Sequence, residues 1–259
     1  MDKAFSFARV ALLTVFGGAF ALGCGDPGLP VEQEEIINNL VQAGYPADDI
    51  MVVDGRVYVQ NDAHVTLQAS REMIQVIGSK EQYRTTNLVT APKKICVNPS
   101  NAFNTYSKLS QGLDLAIANY NALGLTITFA RGPTVGCTAN IAAVTTSGVG
   151  GSSGFPSGGN PYGTINIGTG LQSYSVDVNE HVITHEIGHT IGLRHSDYYN
   201  RSISCGTGGN EGSAGVGAIL IPGTPTTATV GGSIMNACFR STETGEFSSS
   251  DKTALNYLY

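Results

Sequence analysis

The sequence predicts an α+β chain, and three observations carry that prediction. Stretches with apolar residues at helical spacing alternate with short β-rich runs. The last third holds long Gly- and Thr-rich loops with neither period. The composition agrees: 33 glycines and 13% charged residues in 259 describe a loop-rich chain with few surface charges. That length fits one large domain, or one domain with a small accessory segment, and can bury a sizeable core. The glycines have no period of three and no heptads run through the chain, which excludes collagen and coiled coil. A net charge of -6 without a Lys/Arg cluster argues against nucleic acid as a partner.

Residues 1–24 (MDKAFSFARVALLTVFGGAFALGC) read as an export signal: Lys3 and Arg9 precede the apolar run Val10 to Leu22. The ending Ala21-Leu22-Gly23-Cys24 resembles a bacterial lipobox, with Leu two before the Cys where three is usual. Lipidation of Cys24, simple secretion after cleavage and an uncleaved anchor all stay open. Export is the expected localisation, as a membrane-anchored lipoprotein or a secreted protein, and a monomer is expected. Setting Cys24 aside leaves Cys96, Cys137, Cys205 and Cys238, which suit two disulfides in an exported chain. Of the three connectivities, sequence order favours Cys96–Cys137 with Cys205–Cys238.

A tether (25–30) leads into a front segment, together spanning 25–92. Val31 to Ala43 has helical spacing and Gly44 stops it. Two β-rich runs flank Asp54-Gly55, a hairpin signal. A short helix is expected over 66–77, and the polar stretch Gly78 to Pro92, with Lys80 and Arg84, reads as a linker and cleavage region. The body, 93–259, opens on a strand at Lys94–Val97 and one long helix from Asn101 to Leu123, stopped by Gly124. Leu125–Phe129 and Ile141–Thr145 read as strands, Gly148–Gly163 as a flexible surface loop, and Gly163–Gly168 as a short edge strand. A helix capped by Asp177, with Glu180 as its box partner, follows. A long loop from Cys205 to Gly232 precedes a last helix over Ser250–Leu258, with Ser248–Ser250 available as caps.

The chemistry sits in residues 181–197, HVITHEIGHTIGLRHSD. His185 and His189 are four apart, so they stack on one helical face and can grip one metal ion. Glu186 stands beside the first and can take the proton of a metal-bound water. Gly192 can adopt the positive φ of a sharp turn, which returns His195 as a third nitrogen. Three histidines with an open fourth position describe a catalytic zinc site, although three imidazoles also suit other divalent ions.

His185-Glu-x-x-His189-x-x-Gly192-x-x-His195, with Ser233-Ile234-Met235-Asn236 as a Met-containing turn, resembles the metzincin zinc endopeptidases, and most closely their bacterial HEIGH-type branch. The resemblance covers roughly 94–259. It implies a two-lobed fold: a five-stranded, mainly parallel sheet with two long helices, an irregular C-terminal lobe, and a cleft between. It implies zinc held by His185, His189 and His195, Glu186 as general base, Met235 as an apolar floor, and proteins or peptides as substrate. It matches Thr164–Ile167 to the clan's antiparallel edge strand, which would pair with an extended substrate. Gln60-Asn61-Asp62-Ala63 resembles the zinc-blocking motif of some metzincin prosegments, which would make the chain a zymogen; a turn Asp is the other reading of Asp62. Some members carry a Tyr two residues after the Met, where Ala237 stands here. Asp197 reads either as a partner orienting a ligand or as a solvated loop acid. His181 is expected outside the complete site and His64 on the surface. The competing functions are an inactive zinc-binding surface lipoprotein that holds peptides, against which Glu186 argues, and an adhesive lipoprotein in which zinc only stabilises the fold.

Overall fold

The computed structural model describes residues 29–43, 45–60, 62–73, 83–91, 93–211, 218–225 and 227–259. The leader expected over 1–24, the stop at Gly44 and the helix beyond Met73 lie outside them. Helix α1 (Val31–Gln42) buries Ile36 and Leu40. A hairpin of β1 (Met51–Val53) and β2 (Arg56–Val59) turns at Asp54 and Gly55, both left-handed at φ 48 and 75. Two consecutive positive φ values suit Asp-Gly and match the twist of the strands. Strand β3 (Ala63–His64) and helix α2 (Leu67–Met73) follow. Leu40, Val57, Val59, Val65 and Met73 form a core of their own, to which Phe155 of the body contributes.

The body runs β4 (Lys93–Pro99), α3 (Asn101–Thr105), α4 (Ser107–Ala122), β5 (Ile127–Arg131), β6 (Ala139–Thr146), β7 (Gly151–Gly154), β8 (Thr164–Gly168), α5 (Val176–Thr190), α6 (Ser202–Cys205) and α7 (Ser249–Leu258). The single helix expected over 101–123 is broken at Tyr106 (φ -93, ψ 98). There the Lys108 amide donates to the Gln172 side chain at 3.0 Å and Lys108 Nζ to the Tyr174 carbonyl at 2.5 Å, so tertiary bonds override helical periodicity.

Strands β5, β4, β6 and β8 are parallel neighbours in that order, and β7 adds antiparallel to β8. This is a five-stranded, mainly parallel sheet in an α+β fold. It corrects one expectation: Thr164–Gly168 is an interior parallel strand, and the antiparallel strand is Gly151–Gly154, inside the stretch read as a loop. Gly-Ser-Ser-Gly has no β-branched or apolar alternation, so its pairing leaves no mark in side-chain pattern. The outer edge of β7 takes β3 in parallel, Ala63 against Ser153, and β2 and β1 extend the sheet to eight strands.

Alternate residues of the body strands (Ile95, Val97, Ile127, Phe129, Ile141, Ile165, Ile167) are buried against Leu109, Leu113 and Tyr120 of α4 and Val178, Ile183 and Ile187 of α5. The two helices cross at Gly112, where an added Cβ would lie 2.8 Å from the Glu180 amide nitrogen. Both favoured disulfides form, Cys96–Cys137 and Cys205–Cys238. After α5 the described chain is mostly irregular. Its last helix starts with a capping box in which Ser248 and Asp251 exchange side-chain bonds with each other's amides.

Of the stretch read as a linker over 78–92, the residues 83–91 are described and 78–82 and 92 lie outside the described residues. Tyr83 to Ala91 is pinned to the body: Arg84 exchanges backbone bonds with Ile219, and the Thr85 amide donates to Gly192 at 2.8 Å. Among the described residues no helix is long and apolar enough to cross a membrane.

Candidate metal centre

Helix α5 is nearly all buried, so its polar residues need partners inside the protein. Its N-cap is Ser175, whose hydroxyl accepts from the Val178 amide at 3.2 Å, and not the expected Asp177, which lies in the first turn. Both are capping residue types, and a slide of two positions is within what sequence can place. The helix ends at Thr190, and two residues on Gly192 has φ +109 and gives its amide to the His189 carbonyl at 2.9 Å. A side chain there meets two obstacles: the left-handed backbone, and the Asn87 carbonyl 2.7 Å from an added Cβ. The turn swings His195 back toward His185 and His189.

The Nε2 atom of His195 lies 3.2 Å from that of His185 and 3.3 Å from that of His189. Each Nδ1 faces an acceptor at 2.8 Å: the Ile234 carbonyl for His185, the Leu193 carbonyl for His189, and Glu211 Oε1 for His195. Those acceptors place the ring protons on Nδ1, so three Nε2 lone pairs converge. Asp62 adds a carboxylate, with Oδ2 3.2 Å from His195 Nε2 and 3.7 Å from His185 Nε2, and Oδ1 3.7 Å from His189 Nε2. Four electron-pair donors in mutual contact, three buried imidazoles and a partly buried carboxylate, repel one another unless a cation lies among them. A tetrahedral ion with bonds of about 2.0–2.1 Å needs ligand nitrogens about 3.3 Å apart, which is the spacing here. The residues therefore fit a metal, and among the described residues they are the group able to hold one.

Burial alone would raise the Asp62 pKa, but the surrounding imidazoles overcome it and hold the carboxyl well below its ordinary value. Glu186 goes the other way. Burial first, and then the charge of Asp62, push its carboxyl well above its ordinary value. Its Oε2 is buried with no hydrogen-bond partner among the described residues. Strand β7 passes so near that a Cβ on Gly151 would sit 2.5 Å from Glu186 Oε1. That glycine is what lets the strand edge and the carboxyl share one cleft.

The Met turn underlies the histidines. Ile234 supplies the carbonyl that His185 binds, its own amide donates to Asp251 Oδ2 at 3.0 Å, and the Met235 carbonyl accepts from Ser196 at 2.7 Å. Asp251, in the capping box of α7, thus also anchors the turn. The packing is close enough to require Gly188, where an added Cβ would lie 2.7 Å from Met235 Sδ. Gly188→Ala is expected to destabilise the protein by about 1–3 kcal/mol through this overlap. Calorimetry should read that as a midpoint roughly 2–10 °C lower; an unchanged midpoint would remove the packing argument.

Other sequence readings fare unevenly. Asp197 is neither a ligand partner nor a solvated acid. It is fully buried, and it accepts from Ser204 Oγ at 2.6 Å and the Ala237 amide at 2.9 Å. The carboxylate that does meet a histidine is Glu211, at His195 Nδ1, a contact that sequence reasoning missed. His64 is only partly exposed on β3: it hydrogen-bonds the Tyr162 hydroxyl, and burial lowers its pKa to about 4. His181 is buried beside the centre and 3.9 Å from Glu243. A cleft of about 260 Å³ opens next to the histidines, lined by Val149, Val182, Ala237 and Phe239 together with Glu186 and Asp62.

Residues 57–259 match the family described as dual-action HEIGH metallo-peptidase. Two solved structures of myroilysin resemble the chain. One is 19% identical with a TM-score of 0.42, over 68% of this chain and 95% of that one. The other is 15% identical with a TM-score of 0.41, over 71% and 94%. Among curated protein sequences none matches.

Proposed function

The chain belongs to the dual-action HEIGH metallopeptidases, and from that premise we propose that it is an exported zinc endopeptidase made as a zymogen, with Glu186 as its general base. Family membership makes it a metal-dependent hydrolase of peptide bonds. The observation that carries the finer reading is the convergence of three Nε2 lone pairs at 3.2–3.3 Å with their Nδ1 protons held elsewhere.

His185, His189 and His195 would hold the ion, and zinc suits a set of three imidazoles. When bound, the ion supplies a Lewis acid that acidifies water and polarises the scissile carbonyl. The protein does the rest. Glu186 takes the proton of the attacking water at its carboxylate and returns it to the leaving amine. The rim of β7 around Gly151 offers main-chain groups to an extended peptide, and the cleft beside it takes a substrate side chain. Met235 and Gly188 keep the two helical histidines on a fixed floor.

The front segment is the latency device in this reading. Asp62 stands where a fourth ligand belongs, and its carbonyl accepts from the Ser153 amide of β7 at 3.0 Å. It therefore covers the metal position and part of the substrate edge together. Tyr83 to Ala91 is bound to the body, so the activating cut falls before Tyr83, near Lys80, and 83–91 stays with residues 93–259. The signal and Cys24 make the protein exported, by secretion or by a lipid anchor.

The test uses the purified full chain. It is expected to carry one zinc, to cut a mixed peptide library only after proteolysis ahead of Tyr83, to lose that activity to a chelator, and to regain it with zinc. A processed chain that holds zinc and cuts nothing in the library would overturn the peptidase mechanism and favour a peptide-binding surface lipoprotein.

A further inference from the structure

His195 differs from the other two histidines in what holds it. His185 and His189 give their Nδ1 protons to main-chain carbonyls, whereas His195 gives its proton to a carboxylate, Glu211 Oε1 at 2.8 Å. Glu211 is fully buried and its amide donates to the Tyr198 carbonyl at 2.7 Å, so its backbone is fixed one turn from the histidine. Two cations flank it: Arg201 Nε lies 3.5 Å from Oε1 and Arg194 Nη2 3.9 Å from Oε2. Arg194, itself buried, lies over the Tyr45 and Tyr198 rings at 4.9 and 5.2 Å, and its guanidinium faces the Gln60 side-chain amide, whose oxygen accepts from it once the amide is turned. Arg201 also reaches Asp49 at 3.5 Å. Tyr45, Asp49 and Gln60 belong to the front segment, so the same network that braces Glu211 meets the segment carrying Asp62.

We propose that Glu211 is a positioning residue for the metal centre: its carboxylate fixes the Nδ1–H form of His195 and strengthens Nε2 as a donor, while Arg194 and Arg201 keep that carboxylate in place. This rests on His195 being a ligand. A negative acceptor on the far ring nitrogen raises the basicity of the near one, and loss of such a partner typically weakens metal binding by 10- to 100-fold. A main-chain carbonyl is uncharged, so among the three ligands His195 is the one whose donor strength a single side chain sets. Arg194 immediately precedes His195 in the chain, so cation, carboxylate and ligand form one closed unit.

The experiment measures zinc affinity by chelator competition for wild type, E211Q, E211A and the control D197N, with the melting midpoint of each metal-free protein. E211A is expected to bind zinc about 10- to 100-fold more weakly and E211Q about 3- to 10-fold more weakly, since glutamine keeps an acceptor but no charge. E211Q keeps the shape of the side chain and decides the question if E211A does not fold. D197N removes an equally buried carboxylate that touches no ligand, and its zinc affinity is expected to stay within about twofold of wild type. E211Q within twofold of wild type, or D197N as weak as E211Q, would overturn the proposal. A wild type that binds no zinc would instead defeat the ligand assignment beneath it.

Discussion

Replacing Glu186 with glutamine is expected to leave zinc content unchanged and to lower kcat on a peptide by about 10²- to 10⁴-fold, the span that a general base contributes. Glutamine preserves the volume that Gly151 is cut away to admit, so β7 and the cleft stay as they are. The Glu186 Oε2 has no hydrogen-bond partner among the described residues, so little ties that end of the side chain to folding. The loss should therefore fall on kcat and leave KM nearly unchanged, the mark of an interaction used in the transition state. Steady-state kinetics on a fluorogenic peptide, with metal analysis of the same samples, reads both. An E186Q enzyme within tenfold of wild type would remove Glu186 from the mechanism.

The second large effect is expected at Asp62. In the full, uncut chain Asp62→Ala should raise peptide hydrolysis by an amount on the order of 10²-fold, because a tethered carboxylate competes with substrate at a high effective concentration. The rest of the front segment keeps its own core and its pairing on β7, so the gain should stay below that of the processed enzyme. The contrast with proteolytic activation separates the two parts of the block, the carboxylate at the metal and the strand at the substrate edge. Unchanged activity in uncut D62A, with full activity after processing, would mean that the strand alone confers latency.

Much of this centre was legible because helical spacing is a strong geometric constraint. His185, Glu186 and His189 need only the 3.6-residue period to be placed, and Gly192 announces the turn that returns His195. The disulfides followed from order along the chain. What escaped the sequence depends on backbone geometry or on long-range contact. Strand β7 is Gly-Ser-Ser-Gly, whose side chains carry no strand signal, and its position is fixed by bonds to β8 and by the room Glu186 needs. Glu211 lies in an irregular, Gly-rich stretch with no periodicity to tie it to His195. Asp197 is nearer in sequence, yet its oxygens are taken by Ser204 and the Ala237 amide. The break at Tyr106 is set by Gln172 and Tyr174, which lie far along the chain. Asp62 was legible only through family resemblance; what adds to that is its seat among the three histidines.

The most direct test is zinc-edge anomalous diffraction from crystals of the full, uncut chain. One peak is expected, about 2.0–2.1 Å from Nε2 of His185, His189 and His195 and about 2.0–2.2 Å from a carboxylate oxygen of Asp62. A peak elsewhere, or none in zinc-loaded crystals, would contradict the metal centre. A peak held by the three histidines with Asp62 turned away would keep the peptidase and discard the plug.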